Sequence, residues 1–206
     1  MRIDDISPRR KGLCTVTADG EEYLLNSETV EMHRLKKGQQ IEPQFLSSLK
    51  KESDLDRAKS RALWYISRGD HSKKALFDKL RRAFPPEAAE AAVERMCELG
   101  LIDDRRYAEQ LAKSMSDGNR SKREILRKLF EKGVPNEVAK EAVDALECDS
   151  VAQITELIEK KYARRLDSEE GVQKVFAALV RRGFSFGDVK SALRQYSENI
   201  ENSEEW

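Results

Sequence analysis

Residues able to do covalent or acid–base chemistry are few in this chain of 206 residues, and they stand apart. Its two histidines, His33 and His71, lie in unrelated segments, and its three cysteines, Cys14, Cys97 and Cys148, are far apart. No HExxH, CxxC, GxSxG, Walker-type or GxGxxG spacing occurs. Asp103-Asp104 is the one compact acidic pair that invites a metal or acid–base reading. It follows Leu99-Gly100 and precedes a helical run, so capping the free N–H groups of a first turn is the better account. Cys97 falls within a helical stretch with no His or second Cys to activate it, which makes it a packing residue. Enzymatic chemistry, a metal and a cofactor are therefore not expected. Trp64 and Tyr65, set among Arg61, Arg68 and Lys73, could stack on a base. Aromatic side chains dominate core burial, however, and one of the two rings is expected to pack inside.

What remains is charge. The chain holds 38 Lys+Arg and 38 Asp+Glu, so a uniformly basic nucleic-acid binder is excluded. The distribution is not uniform. Residues 1–50 balance, and the blocks 51–82, 83–104, 105–134, 135–159, 160–194 and 195–206 carry net charges of +5, −5, +5, −6, +5 and −4. The sign alternates with a period near fifty residues. A charged helix is usually a solvated face laced by i,i+4 pairs such as Glu124–Lys128. Recurrence of the excess in corresponding helices would instead build one basic stripe, if successive units stack alike, and such a face suits a polyanion or an acidic protein groove.

The period is that of an internal repeat. Ser72-Lys-Lys-Ala-Leu76 with Lys79-Leu80 returns as Ser121-Lys-Arg-Glu-Ile125 with Lys128-Leu129, and then as Gly171-Val-Gln-Lys-Val175 with Ala178-Leu179. Lys132-Gly133-Val134 likewise returns as Arg182-Gly183-Phe184. Each copy reads as three helices: near 54–68, 73–83 and 86–99 in the first, and near 150–165, 169–182 and 186–198 in the third. In the second, Asp103 or Asp104 caps a helix that places Tyr107, Leu111 and Met115 on one face and ends at Gly118. Ser121-x-x-Glu124 is a capping box for the next, and Gly133 closes it in a left-handed position. Pro135 then opens a third helix with Val138, Ala142 and Leu146 facing inward. Three copies is the usual minimum for a stacked array.

The first fifty residues differ. Leu13–Ala18, Asp19-Gly20 and Glu21–Leu25 form a hairpin with a type I′ turn. Ser27 can cap a short helix ending at Lys37-Gly38, Gln39–Ile41 can add a strand, and Pro43 can open a helix towards the repeats. The expected fold is mostly α: a tandem array of three three-helix, helix-turn-helix-like repeats behind a small N-terminal β-hairpin/helix module. The expected divisions are 1–50, 51–102, 103–148 and 149–198, with an acidic frayed tail at 199–206. No apolar run approaches the ~18 residues of a membrane span. The opening residues also hold no signal-peptide apolar region, so a soluble, cytoplasmic protein of a reducing compartment is expected. With no heptad pattern, a monomer is expected.

At this point the residues resemble a known family. Arg57-Ala58, Ala62-Leu63, Ser67-Arg68, Ser72, Leu76 and Lys79-Leu80, followed by Leu99-Gly100-Leu101-Ile102-Asp103-Asp104 and Tyr107-Ala108, are similar to the RecX family of recombinase regulators. So are Lys128-Leu129 with Lys132-Gly133-Val134 and the echo Arg182-Gly183-Phe184. The resemblance covers about 55–195, and the N-terminal segment is similar to the extension some members carry. Departures are Phe84-Pro85-Pro86, where members usually have Lys-Gly and an aliphatic residue, and Gly171, where a capping Ser would repeat. The resemblance implies a curved array lodged in the groove of the RecA filament on single-stranded DNA. It implies restraint of filament growth, strand exchange, ATPase and coprotease activity in DNA repair, recombination and the SOS response, without catalysis or cofactor.

The basic blocks make Arg61, Arg68, Lys73, Lys74, Arg105, Lys122, Arg123, Arg127, Arg164, Arg165, Lys174 and Arg181 the candidate partner contacts, all on first and second helices. The alternative is a helix-turn-helix repeat protein binding nucleic acid directly, with a weak DNA contact allowed in either case. Against it, the third helices are acidic and no Asn/Gln/Arg base-reading set stands out. A scaffold for an unrelated partner is the remaining class.

Overall fold

The computed structural model describes residues 1–203, the side chains of Gln195 and 197–203 excepted. Among the described residues are three strands and ten α-helices, and the chain divides into two compact units, 1–103 and 104–206. No helix among them is long and apolar enough to cross a membrane.

The first unit opens with a three-stranded antiparallel sheet of β1 (Ile3–Arg9), β2 (Leu13–Ala18) and β3 (Glu21–Asn26), in that order. Asp19 and Gly20 close the β2–β3 hairpin with φ of 48° and 82°, the two positive angles a type I′ turn needs. Strand β1 was not expected, because Pro8 and two aspartates break its pattern. It lies at the sheet edge, where proline costs no ladder hydrogen bond. Gln39–Ile41 is not a strand. Gln40 makes one isolated bridge to Arg2, and the carbonyl of Gln39 accepts from the Ile3 N–H at 2.9 Å. The short helix α1 (Ser27–Met32) starts after Asn26, so Ser27 is its first residue rather than its cap.

Pro43 opens α2 (Pro43–Ile66), and no further proline or glycine interrupts its 24 residues. This helix carries two different apolar faces. Leu46 and Leu49 close the core of the sheet module with Ile3, Val16 and Leu25, whereas Ala58 and Ala62 face the first repeat. The buried Ser53 hydroxyl accepts from the Asn26 N–H at 2.7 Å, pinning β3 to the middle of the helix. The expected division at residue 50 therefore falls inside one continuous helix.

In the first repeat, α2 packs against α3 (Lys73–Leu80) and α4 (Pro86–Glu98). Ala58 and Ala62 meet Ala88, Ala89 and Ala92, small side chains that let the helices approach closely. The Ser72 hydroxyl caps α3 by accepting from the Ala75 N–H at 3.1 Å. Tyr65 is half-buried against this core while Trp64 stays 44% exposed, so neither ring of the pair is fully internal.

The second unit contains α5 (Asp104–Asp117), α6 (Lys122–Glu131) and α7 (Asn136–Asp144), then α8 (Ser150–Lys161), α9 (Glu169–Arg181) and α10 (Phe186–Ser203). Ala108 and Ala112 are the fully buried line of α5, with Tyr107, Leu111 and Met115 half-buried beside them. The inward face is thus one residue on from the larger side chains. Ala139, Ala142 and Val143 are the buried face of α7, which ends at Asp144 before reaching Leu146. Helix α5 stops at Asp117, yet the left-handed residue is Asn119 (φ 55°) rather than Gly118. The third repeat departs further. Its first helix ends at Lys161 and gives way to a 3₁₀ turn, Ala163–Arg165. Helix α9 begins at Glu169, as its expected range has it, but its cap is Ser168, three residues before the position where the repeat alignment puts one; the Ser168 hydroxyl accepts from the Gly171 N–H at 3.2 Å. A side chain at 171 would put its Cβ 1.9 Å from the Arg165 carbonyl oxygen, which is why glycine replaces the serine of the other copies. Helix α10 runs past 199, where a frayed tail was expected, through Ser203, with no glycine or proline after Gly187 to stop it. Residues 204–206 lie outside the described residues.

Glycine at 183 has φ +94°, and an added Cβ would lie 2.8 Å from Ser121 Oγ and 2.9 Å from Arg123 Cβ. Gly183→Ala is expected to lower unfolding free energy by about 1–3 kcal/mol, through the left-handed backbone and overpacking together. Gly118→Ala, which meets nothing closer than 3.4 Å, should change the urea midpoint little.

Candidate partner-binding site

The second unit builds one basic surface from residues far apart in sequence. Ser121 is the hinge of its construction. Its hydroxyl accepts from the Glu124 N–H at 3.2 Å, capping α6, and donates to the Arg182 carbonyl at 2.6 Å. This draws the C-terminal end of α9 against the N-terminus of α6, and Gly183 supplies the space. Two more contacts hold the same junction. Gln153 Nε2 donates to the carbonyl and hydroxyl oxygens of the buried Ser116, each at 3.0 Å. Asn119 Nδ2 donates to Glu156 at 2.8 Å. Lys160 first, and Asn119 after it, hold the Glu156 carboxyl below its ordinary range, so it is ionised at neutral pH.

Beside the junction lies a groove of about 820 Å³ lined by Arg120, Arg123, Arg127, Arg181 and Arg182, with Leu126, Phe130 and Val180 as its apolar part. Of the twelve candidates it brings together three, Arg123, Arg127 and Arg181. Arg120 and Arg182 were missed. Arg182 stood in the repeated Arg-Gly-Phe stretch, but its contact with Ser121, 61 residues away, left no signal in the sequence. The arginines are not equivalent. Arg120 pairs with Glu124 at 2.7 Å and Arg127 lies 3.9 Å from Glu131. Arg123, Arg181 and Arg182 have no carboxylate partner among the described residues. The capping box is only half made: one oxygen of Glu124 takes Arg120, and the other is buried without a partner. Glu131 stays ionised because Lys128 hydrogen bonds to it and, with Arg127 and Lys132, holds its carboxyl below the usual range.

Other candidates of this unit are already engaged. Lys122 Nζ donates to the Leu146 carbonyl at 3.1 Å, tying α6 to the end of α7, and Arg105 pairs with Glu141 at 2.5 Å. Lys174 pairs with Glu170 at 2.7 Å. Arg164 and Arg165 sit in the exposed 3₁₀ turn rather than on a helix, a correction that follows from the early end of α8.

In the first unit Arg61 and Arg68 converge on Trp64, their guanidinium carbons 5.4 and 4.3 Å from its ring centroid. Lys74 pairs with Asp78 at 2.8 Å. Lys73 and Lys74 line a shallow groove of about 620 Å³ opposite Glu90, Glu94 and Glu98 of α4, so their charge is locally offset. No cluster of three or more His, Cys, Asp or Glu side chains that could hold a metal ion occurs among the described residues.

Family models for the first, second and third three-helix domains of RecX match residues 58–96, 103–143 and 147–193. A regulatory protein RecX of Prosthecochloris aestuarii is 32% identical over 72% of this chain and 99% of its own length. One of Clostridium acetobutylicum is 27% identical over 93% and 94%. A crystal structure of regulatory protein RecX superposes with a TM-score of 0.68 at 22% identity, covering 94% of this chain and 98% of its own.

Ser121→Ala is expected to cost about 2–3 kcal/mol in urea unfolding, one helix cap plus one carbonyl left unpaired. Ser168→Ala, which removes a cap alone, should cost about 1 kcal/mol.

Proposed function

The chain belongs to the RecX family, and from that premise we propose that it is a non-enzymatic cytoplasmic regulator that binds the RecA filament on single-stranded DNA. In this reading it restrains recombinase, ATPase and coprotease activity. The relatives it matches are named regulatory proteins. The observation that carries the reading is the α6–α9 groove, where Arg123, Arg181 and Arg182 present charge that no carboxylate among the described residues neutralises. Exposed or half-buried guanidinium groups of this kind bind carboxylates in pairs of parallel hydrogen bonds and, once a partner covers them, are frequent anchors of protein interfaces. Arg61 and Arg68 around the exposed Trp64 offer a further anchor on the first repeat. Lys74, Arg105, Lys122 and Lys174 contribute less, since each already has an internal partner. A surface point charge so paired adds little to binding. Multiple weak contacts on neighbouring filament subunits would add through effective concentration.

Direct duplex reading fits less well. Lys122 and Arg105, at the starts of two helices that could meet phosphate, are tied to the Leu146 carbonyl and Glu141. Titration of this protein into RecA-dependent ATP hydrolysis on single-stranded DNA tests the reading. Inhibition is expected, and Arg123→Glu with Arg127→Glu should raise the half-inhibiting concentration at least about tenfold, a loss of ~1.4 kcal/mol, with helical content unchanged. No effect of the unaltered protein on hydrolysis would reject RecA as the partner.

A further inference from the structure

We propose that the α6–α9 groove is a receptor for an acidic peptide segment carrying an apolar anchor, rather than a track for a nucleic-acid backbone. The inference rests on reading this groove as a docking surface and names the chemistry of its occupant. Three features of the groove favour the peptide.

The first is its mixed lining. Phe130 is 39% exposed, and Leu126 and Val180 are half-buried beside it. An apolar strip flanked by guanidinium groups matches a segment that alternates carboxylates with Leu, Ile or Phe. The apolar side chains are dehydrated against Phe130 while the carboxylates meet Arg123, Arg181 and Arg182. A duplex phosphate backbone would use the arginines and leave the strip without a partner, and a single strand could stack a base on Phe130 but would leave Leu126 and Val180 unused.

The second is the negative charge set within the wall. Glu124 lines the groove with one carboxylate oxygen buried and unpartnered, and Glu131 sits beside Arg127. Lys128 keeps Glu131 ionised. A groove shaped for continuous phosphates would place fixed carboxylates elsewhere, since each repels a phosphate and none can donate to it. A peptide can space its carboxylates so that they meet Arg123, Arg181 and Arg182 and stay clear of Glu124.

The third is placement. Ser121 holds the Arg182 carbonyl beside the groove, so Arg123 and Arg127 on α6 are set opposite Arg181 at the end of α9, with Arg120 and Arg182 in the turns next to them. Its volume of about 820 Å³ suits a short segment. The chain's own acidic end is a poor occupant in cis, because α10 starts three residues past Gly183 and carries that end roughly 27 Å along its axis.

Fluorescence anisotropy provides the test, with a short fluorescein-labelled peptide rich in Glu and Asp around a central Leu-Phe pair. The full chain should bind it, and Arg123→Glu with Arg181→Glu should weaken binding at least tenfold. Replacing Leu-Phe by Ser-Ser in the peptide should weaken it several-fold, as should Phe130→Ala in the protein. Phe130 is exposed enough for that variant to fold, and circular dichroism checks each variant. Oligothymidylate of equal length should compete poorly. Equal competition by the oligonucleotide, or indifference to the Leu-Phe pair, would overturn the inference. The same variants in the RecA hydrolysis assay separate the two claims. Lost inhibition without peptide binding rejects the peptide receptor and keeps the RecA reading. Peptide binding lost on charge reversal while inhibition persists keeps the peptide receptor and removes this groove as the surface through which RecA is inhibited.

Discussion

One hydroxyl joins the second and third repeats. Ser121 caps α6 and, with its proton, holds the carbonyl of Arg182 at 2.6 Å, 61 residues further along the chain. Because a hydroxyl both accepts and donates, the two bonds do not compete. The contact demands a residue without a side chain at 183, and Gly183 meets that demand at a helix end where a left-handed glycine is already favoured. The capping chemistry of one repeat and the stop signal of the next thus become an inter-repeat joint. Asn119–Glu156 and Gln153–Ser116 add polar contacts at the same junction. Such a joint has directional geometry, which greasy contact alone lacks, and it fixes the position of the arginines on either side.

The rest of the unit is consistent with that joint. Alanines at 108, 112, 139 and 142 keep the helices of the second repeat close, leaving Leu126 and Phe130 of α6 to turn outward. The apolar part of the groove is therefore a by-product of how the core is filled. Its charged part comes from the residues flanking the joint: Arg120 before Ser121, Arg123 after it, and Arg181 and Arg182 before Gly183. In the first unit, α2 plays a comparable joining role by another route, closing the sheet module with Leu46 and Leu49 and the repeat with Ala58 and Ala62.

Much of this was legible in the residues. The capping serines at 72 and 121, the glycines at 133 and 183, and Asp19-Gly20 each act locally, and the helices and hairpin they mark are present. Strand β1 was hidden because an edge position tolerates Pro8 and charges that a central strand would not. The cap of α9 was hidden because Gly171, read as a missing serine, answers a steric demand from the Arg165 carbonyl; the true cap, Ser168, is one turn earlier. Counting charge over blocks found the basic excess. It could not separate Arg123, which faces the groove, from Lys122, which is held by a carbonyl at the end of α7. Nor could it join Arg120 to Arg182, since that proximity depends on contacts between distant residues, Ser121 with Arg182 among them.

The central claim is that the groove beside Ser121 is where the partner sits. A photo-crosslinking residue in place of the exposed Phe130 tests it most directly, with RecA filaments on single-stranded DNA as target. The account predicts crosslinks to the RecA polypeptide that require the filament and disappear with Arg123→Glu and Arg181→Glu. Crosslinks to the DNA strand, or none while hydrolysis is still inhibited, would contradict it.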